Sequence, residues 1–343
     1  MNDRQRRALV AGGGGLAIAG TAWAATLRAD RRAVAADSAG VALRRELGGE
    51  RMTVVAADGT ELAVTVHGPS DAPTLVLVHG WTCAQRFWTL QIQALRSETR
   101  VVTYDLRGHG DSARAASGDY SIDAFASDLD AVLRATVPAG ERSVVAGHSL
   151  GGMTIVAWAG QHADEVRERL SAAALINSGM GDLITESLVV RTPTALKRLQ
   201  GALGRAFLSA RAPLPRSTTP VSHRVIRRLA LSPAASPAAV AFCEELVLSC
   251  ANDVRAACGG TLSELDMYEA VSRLAVPTVI VAGAADRLTP PVHSEKLAET
   301  LPVLVGEVLI PNAGHMSPVS DAEHVNEALR GLVHEYARMS LAA

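Results

Sequence analysis

Residues Val144 to Trp158, read as VVAGHSLGGMTIVAW, constrain the fold of this chain more than any other stretch. The β-branched pair Val144-Val145 runs into Gly147-His148-Ser149-Leu150-Gly151, and a helix-forming Ala/Ile/Met/Trp segment follows with no loop residues between them. This is a strand, a tight turn and a helix in immediate succession. The apex residue of such a turn is driven to positive φ, and its neighbours two before and two after must be nearly side-chain-free. Gly147 and Gly151 meet that demand and make Ser149 the apex. The turn lifts the Ser149 hydroxyl clear of the strand at a helix N-terminus, where N–H groups and the helix dipole favour developing negative charge.

The segments around this turn alternate between strand and helix. Arg51 to Ala57 and Glu61 to His67 read as two strands joined by the hairpin dipeptide Asp58-Gly59. Thr74 to Val78 and Arg100 to Tyr104 are continuous apolar runs of the kind buried on both faces of a sheet. Ala172 to Ile176, Pro277 to Ala282 and Gly306 to Ile310 supply further strands. Helical spacing places a helix over Ser121 to Thr136, capped by Ser121, and others over Val292 to Thr300 and Asp321 to Tyr336. Strands alternating with helices imply a mostly parallel sheet covered on both faces, whose ligands bind beyond the C-terminal strand ends.

A chain of 343 residues suits one large α/β unit carrying an insertion. Its net charge of −2 gives no global reason to expect nucleic acid as a partner. Cys83, Cys243, Cys250 and Cys258 lack the C-x-x-C spacing of a metal site and read as buried free thiols, with a disulfide as the alternative; no metal is expected, and the chemistry argued below needs no cofactor. Residues 8–27, ALVAGGGGLAIAGTAWAATL, carry no charge and follow Arg4, Arg6 and Arg7. As a helix they would reach about 30 Å, so they read as a membrane anchor, or as an export signal ending near Ala22-Trp23-Ala24. The expected placement is therefore membrane-associated or exported, and the expected division is 1–45 N-terminal segment and linker, 46–177 first part of the core, 178–273 helical cap and 274–343 second part of the core.

Five ordered motifs carry a resemblance: His79-Gly80-Trp81, Asp105-Leu106-Arg107-Gly108-His109-Gly110-Asp111-Ser112, Gly147-His148-Ser149-Leu150-Gly151-Gly152, Gly283-Ala284-Ala285-Asp286-Arg287 and Asn312-Ala313-Gly314-His315. Together they resemble the α/β-hydrolase superfamily, over about residues 51 to 340, in its serine esterase and lipase-like branch with a helical cap. The resemblance implies an eight-stranded, mostly parallel sheet flanked by helices, with Ser149, Asp286 and His315 as catalytic triad and the backbone N–H groups of Trp81 and Leu150 as oxyanion hole. The chemistry agrees, because a serine needs a neighbouring base to become nucleophilic and an acid to hold that base in the right tautomer. Asp182 competes for the acid's place, although Asn177-Ser178-Gly179 occupies the strand end itself. His79, His109, His148, Arg107 and Asp111 are expected to shape loops rather than react.

The expected activity is hydrolysis of a carboxylic ester of lipophilic acyl character through an acyl-enzyme. Lactone, thioester or carbon–carbon bond hydrolysis, cofactor-free peroxidase-like chemistry, and a non-catalytic membrane-tethered binding protein are the alternatives. Epoxide hydrolases and haloalkane dehalogenases need an aspartate where Ser149 stands. The insertion has no Asp or Glu from Ser187 to Cys243 but carries Arg191, Lys197, Arg198, Arg205, Arg211, Arg216, Arg224, Arg227 and Arg228. Thr192-Pro193 reads as the start of a helix with Leu196, Leu199, Leu203 and Phe207 on one face. Either those leucines pack on the core, or the cap meets an anionic membrane surface or amphiphilic acyl substrates.

Overall fold

The computed structural model describes residues 21–189, 193 and 196–337. Residues 21–36 are helical (α1) and lead through α2 (Ala39–Leu43) into β1 (Glu50–Val55), β2 (Glu61–His67) and β3 (Thr74–Val78). There follow α3 (Thr89–Leu95), β4 (Arg100–Tyr104), α4 (Ile122–Thr136), β5 (Ser143–His148), α5 (Leu150–Gln161), α6 (Val166–Arg169) and β6 (Leu170–Ile176). The segment after β6 forms α7 (Lys197–Leu208), α8 (Pro220–Ala230), α9 (Pro237–Ser249), α10 (Asn252–Glu264) and α11 (Tyr268–Val271). The chain closes with β7 (Thr278–Gly283), α12 (Val292–Thr300), β8 (Leu304–Ile310), α13 (Ser317–Ser320) and α14 (Ala322–Tyr336).

The strands form one eight-stranded sheet in the order β1-β2-β4-β3-β5-β6-β7-β8. Only β2 runs against its neighbours; every other pairing is parallel. The apolar runs sit in the middle because alternate side chains feed two cores. Val76 and Val78 of β3 join the α4 and α5 side, while Leu75 and Leu77 join the side of α3, α9 and α14. Ser121 caps α4 as its sequence implies, its hydroxyl accepting from the Ala124 N–H at 3.3 Å.

Two expectations change. The fold begins before residue 46: Leu43 is buried, Asp37 Oδ2 accepts from the Ala238 N–H at 2.8 Å, and Arg44 pairs with Glu245 at 2.7 Å. The chain ahead of β1 is held because it covers the apolar side of α9. In the insertion, which contains no strand among the described residues, Leu196, Leu199, Leu203 and Phe207 do not pack on the core but face solvent. Thr192, expected to cap their helix, lies outside the described residues, as do residues 8–20 of the uncharged N-terminal stretch. Among the described residues no helix is long and apolar enough to cross a membrane.

Candidate active site

The turn between β5 and α5 has the geometry its glycines demand. Ser149 sits at φ 52° and ψ −116°, a conformation costly for any L side chain. A Cβ on Gly147 would lie 2.3 Å from the Gly151 carbonyl carbon, and one on Gly151 only 2.1 Å from the Val78 carbonyl oxygen at the end of β3. The second glycine thus answers to the neighbouring strand as well as to the turn. The Ser149 N–H donates to the Ile176 carbonyl at 2.9 Å, and its own carbonyl accepts from Gly152 N–H at 2.9 Å and Ser178 Oγ at 2.8 Å. These bonds hold the serine backbone in its strained state.

His315 and Asp286 come from the loops after β8 and β7, which are stitched to each other by Ala284 N–H to Ile310 O at 3.0 Å and Ala285 N–H to Ala313 O at 2.8 Å. A Cβ on Gly283 would meet the Ala313 carbonyl oxygen at 2.5 Å, so glycine is needed for the two loops to approach. His315 Nδ1 lies 2.8 Å from Asp286 Oδ2. A carboxylate only accepts, so Nδ1 carries the proton and Nε2 is left as a base. Asp286 is fully buried, and burial pushes its carboxyl up. The adjacent His315 ring, with hydrogen bonds from His315 and from Thr289, outweighs that and holds the carboxyl below its ordinary value. His148, next to the serine, donates from Nε2 to the His315 carbonyl at 2.9 Å and sets the ring 4.8 Å from its own. No hydrogen bond joins Ser149 Oγ to His315 among the described residues.

Asn177 is a member of this cluster that pattern reading left as a strand end. It adopts φ 46°, donates from Nδ2 to Asp286 Oδ2 at 3.0 Å, and accepts from Ser317 Oγ at 2.5 Å. Thr289 Oγ1 lies 2.8 Å from the same carboxylate oxygen and 3.0 Å from the Asn177 carbonyl. Asparagine tolerates positive φ better than most residues, which was the available signal. Asp182, by contrast, leaves the site: its side chain is 55% exposed and pairs with Lys296 at 3.1 Å.

The loop carrying Trp81 is clamped from behind. The Gly80 carbonyl accepts from Cys83 N–H at 3.1 Å and from His79 Nδ1 at 2.8 Å, so the trans peptide points the Trp81 N–H the opposite way. Gly80 packs on the serine turn, where a Cβ would meet His148 Nδ1 at 2.6 Å. Leu150 opens α5, and its N–H is one of the donors a helix leaves unpaired at its first turn. His79 Nε2 accepts from Leu106 N–H at 3.0 Å, and His109 Nε2 from Thr82 N–H at 3.3 Å, so both rings are held by main chain. Burial pushes each down to about 4, and His148 down to about 3, which keeps all three neutral near pH 7. Arg107 binds Asp128 through Nε at 2.7 Å and Nη2 at 2.6 Å and reaches Asp58 at 3.0 Å, while Asp111 is exposed. All four cysteines are free and buried.

The insertion meets these loops through apolar residues and backbone. Trp81 Nε1 donates to the Arg255 carbonyl at 3.1 Å, and a Cβ on Gly259 would lie 3.2 Å from the Trp81 ring and 2.2 Å from the Leu208 carbonyl oxygen. On the other side, a Cβ on Gly314 would meet the Leu231 carbonyl carbon at 2.6 Å. Asp130, His162 and Glu165 approach one another on the outer side of α4 and α5, where Asp130 is already paired with Arg134.

The chain is similar to known proteins over most of its length. The 3-oxoadipate enol-lactonase 1 of Acinetobacter baylyi is 25% identical over 279 residues, covering 80% of this chain and 94% of that protein. The bifunctional esterase/perhydrolase of Acinetobacter calcoaceticus is 26% identical over 290 residues, covering 82% and 98%. The solved structure of a thermophilic esterase from Thermogutta terrifontis superposes with a TM-score of 0.66 at 24% identity, over 84% of this chain and 99% of that one, and supports the fold. Residues 73–322, most of the chain and all five motifs, match the family model described as alpha/beta hydrolase fold, and the protein belongs to that family.

Proposed function

We propose that this protein is a serine hydrolase that cleaves a carboxylic ester through an acyl-enzyme intermediate. The observation that carries the reading is Ser149 held at positive φ beside a buried Asp286–His315 pair at 2.8 Å. In this reading His315 Nε2 removes the hydroxyl proton as Ser149 Oγ attacks the ester carbonyl. The imidazolium so formed is stabilised by Asp286. The negative charge on the former carbonyl oxygen is taken by the Trp81 and Leu150 N–H groups, each donor of this kind being worth about 3–4 kcal/mol. His315 then gives its proton to the leaving alcohol, and water repeats the sequence to release the acid. The Trp81 ring, held by the insertion through the Arg255 carbonyl next to the proposed oxyanion hole, is the feature that favours an apolar acyl group. The named activities of the two relatives, a lactonase and an esterase, support ester bonds, open or cyclic.

Ser149→Ala should lose p-nitrophenyl ester turnover by at least about 10⁴-fold, and a fluorophosphonate probe should label the wild type at Ser149 only. Full activity in the variant would remove the assignment. Absence of labelling in folded wild type would favour a binding protein of the same fold. A series of esters from short to long acyl chains would then define the substrate.

A further inference from the structure

Helix α7 is built with its polarity reversed. Toward the body of the protein it presents Gly201, which is buried, and Gly204, where a Cβ would lie 2.4 Å from Ile184 Cγ2. Lys197, on the same side of the helix, pairs with Glu186 at 3.5 Å. Toward solvent it turns Leu196, Leu199, Leu203 and Phe207, which are 47%, 55%, 62% and 78% exposed. At 3.6 residues per turn these positions fall on one stripe, while Arg198 and Arg205 lie on the opposite, polar side of the helix, where Arg205 Nη1 would lie 3.6 Å from a Cβ on Gly201. An apolar stripe of this length facing water marks an interaction surface.

Charge selects the partner. No acidic residue occurs from Ser187 to Cys243, and Arg198, Arg205, Arg211, Arg216, Arg224 and Arg228 are exposed. A second copy meeting this insertion two-fold would bring two acid-free, arginine-rich surfaces together, which disfavours self-association. Helix α8 adds exposed Val221 and Val225 next to exposed Arg224 and Arg228, and Arg224 ties it to Asp30 of α1 at 3.0 Å. The sequence that runs into α1 is itself uncharged over residues 8–27 and preceded by Arg4, Arg6 and Arg7. Two arginine-rich helices thus each expose apolar residues, a pattern suited to a laterally uniform partner with an anionic surface and an apolar interior.

We propose that the outward face of α7 docks this protein on an anionic lipid bilayer, with the helix lying in the plane of the interface and its stripe entering the acyl boundary. The site loops lie close behind it, since the Leu208 carbonyl at the end of α7 touches Gly259 beside Trp81. Delivery of a membrane-dissolved ester to Ser149 rests on the proposed hydrolase activity; the docking does not.

The test places a nitrobenzoxadiazole label on Ala206→Cys beside the stripe of the full chain, the native cysteines being buried. Vesicles containing phosphatidylglycerol should shift its emission to the blue and shield it from iodide, while pure phosphatidylcholine vesicles should do so weakly. The triple variant Arg198→Glu, Arg205→Glu, Arg211→Glu should need at least about a hundredfold more lipid for the same shift, at about fivefold per arginine. Leu199→Gln with Leu203→Gln should abolish the shift while leaving turnover of a water-soluble ester unchanged. A label that stays aqueous on bound vesicles overturns the proposal, because the N-terminal segment alone would then hold the protein. Blue emission without vesicles overturns it too, and its dependence on protein concentration tells a second copy from the chain's own segment.

Discussion

Replacing Asp286 by Asn changes one atom, and the surrounding bonds dictate the outcome. Asp286 Oδ1 accepts from the backbone N–H groups of Leu288 at 2.8 Å and Thr289 at 3.0 Å, and neither donor can turn away. The amide oxygen must therefore occupy the Oδ1 place, which puts the NH₂ at Oδ2, against His315 Nδ1. Nδ1 can accept only if it gives up its proton, and the proton then resides on Nε2, the nitrogen that receives the Ser149 proton in the proposed mechanism. The wrong tautomer costs about 10⁴ in kcat, equivalent to about 5 kcal/mol of transition-state stabilisation. The NH₂ also faces Asn177 Nδ2, formerly 3.0 Å from the carboxylate. Asn177 can answer by flipping its amide, because the Ser317 hydroxyl on its other side accepts as readily as it donates. Folding should therefore survive with a small fall in Tm. Steady-state kinetics on a p-nitrophenyl ester, with thermal melts of both proteins, test this. A loss in kcat below tenfold would refute the tautomer argument, and a collapse of Tm would refute the flip.

Three further outcomes follow from buried groups. His79, His109 and His148 are held at about 4, 4 and 3, so between there and the unfolded value near 6.5 the unfolded chain binds protons that the folded one refuses. Stability therefore falls as pH drops, by about 2 kcal/mol per histidine at pH 5, and urea melts giving equal stability at pH 7 and 5 would contradict this. Gly151→Ala, with no room beside the Val78 carbonyl, should lose more than about 3 kcal/mol or fail to fold, whereas Gly260→Ala, with nothing within 4 Å, should gain about 0.5–1 kcal/mol in chemical denaturation. Arg107→Met leaves Asp128 charged and buried and should cost about 3–5 kcal/mol, with Arg107→Met/Asp128→Leu recovering much of the loss; equal stability of the single and double variants would dismiss the ion pair.

Much of this could be read along the chain because the deciding forces act over a few residues. The strand, turn and helix around Ser149, the doubly apolar runs of β3 and β4, and the cap at Ser121 each follow from local sterics and periodicity. The positions of Asp286 and His315 were legible through motif order, since strand ends are where a parallel sheet exposes its side chains. Helical period also located α7 within the insertion, though not which way its apolar face turns.

Only the tertiary structure decided the remainder, where the partners are distant in sequence. Asn177 became part of the Asp286 cradle because β6 and β7 are paired, which brings its amide to a carboxylate on another strand loop. Asp182 was removed from contention by a turn that sends it to Lys296. Residues 37–45 joined the fold because α9 offered an apolar side to cover. The stripe on α7 is the sharpest case: sequence determined that Leu196, Leu199, Leu203 and Phe207 share a face, but a period of 3.6 residues is indifferent to direction. Gly204 against Ile184 and Lys197 against Glu186 occupied the inner side, and the apolar face was left outward.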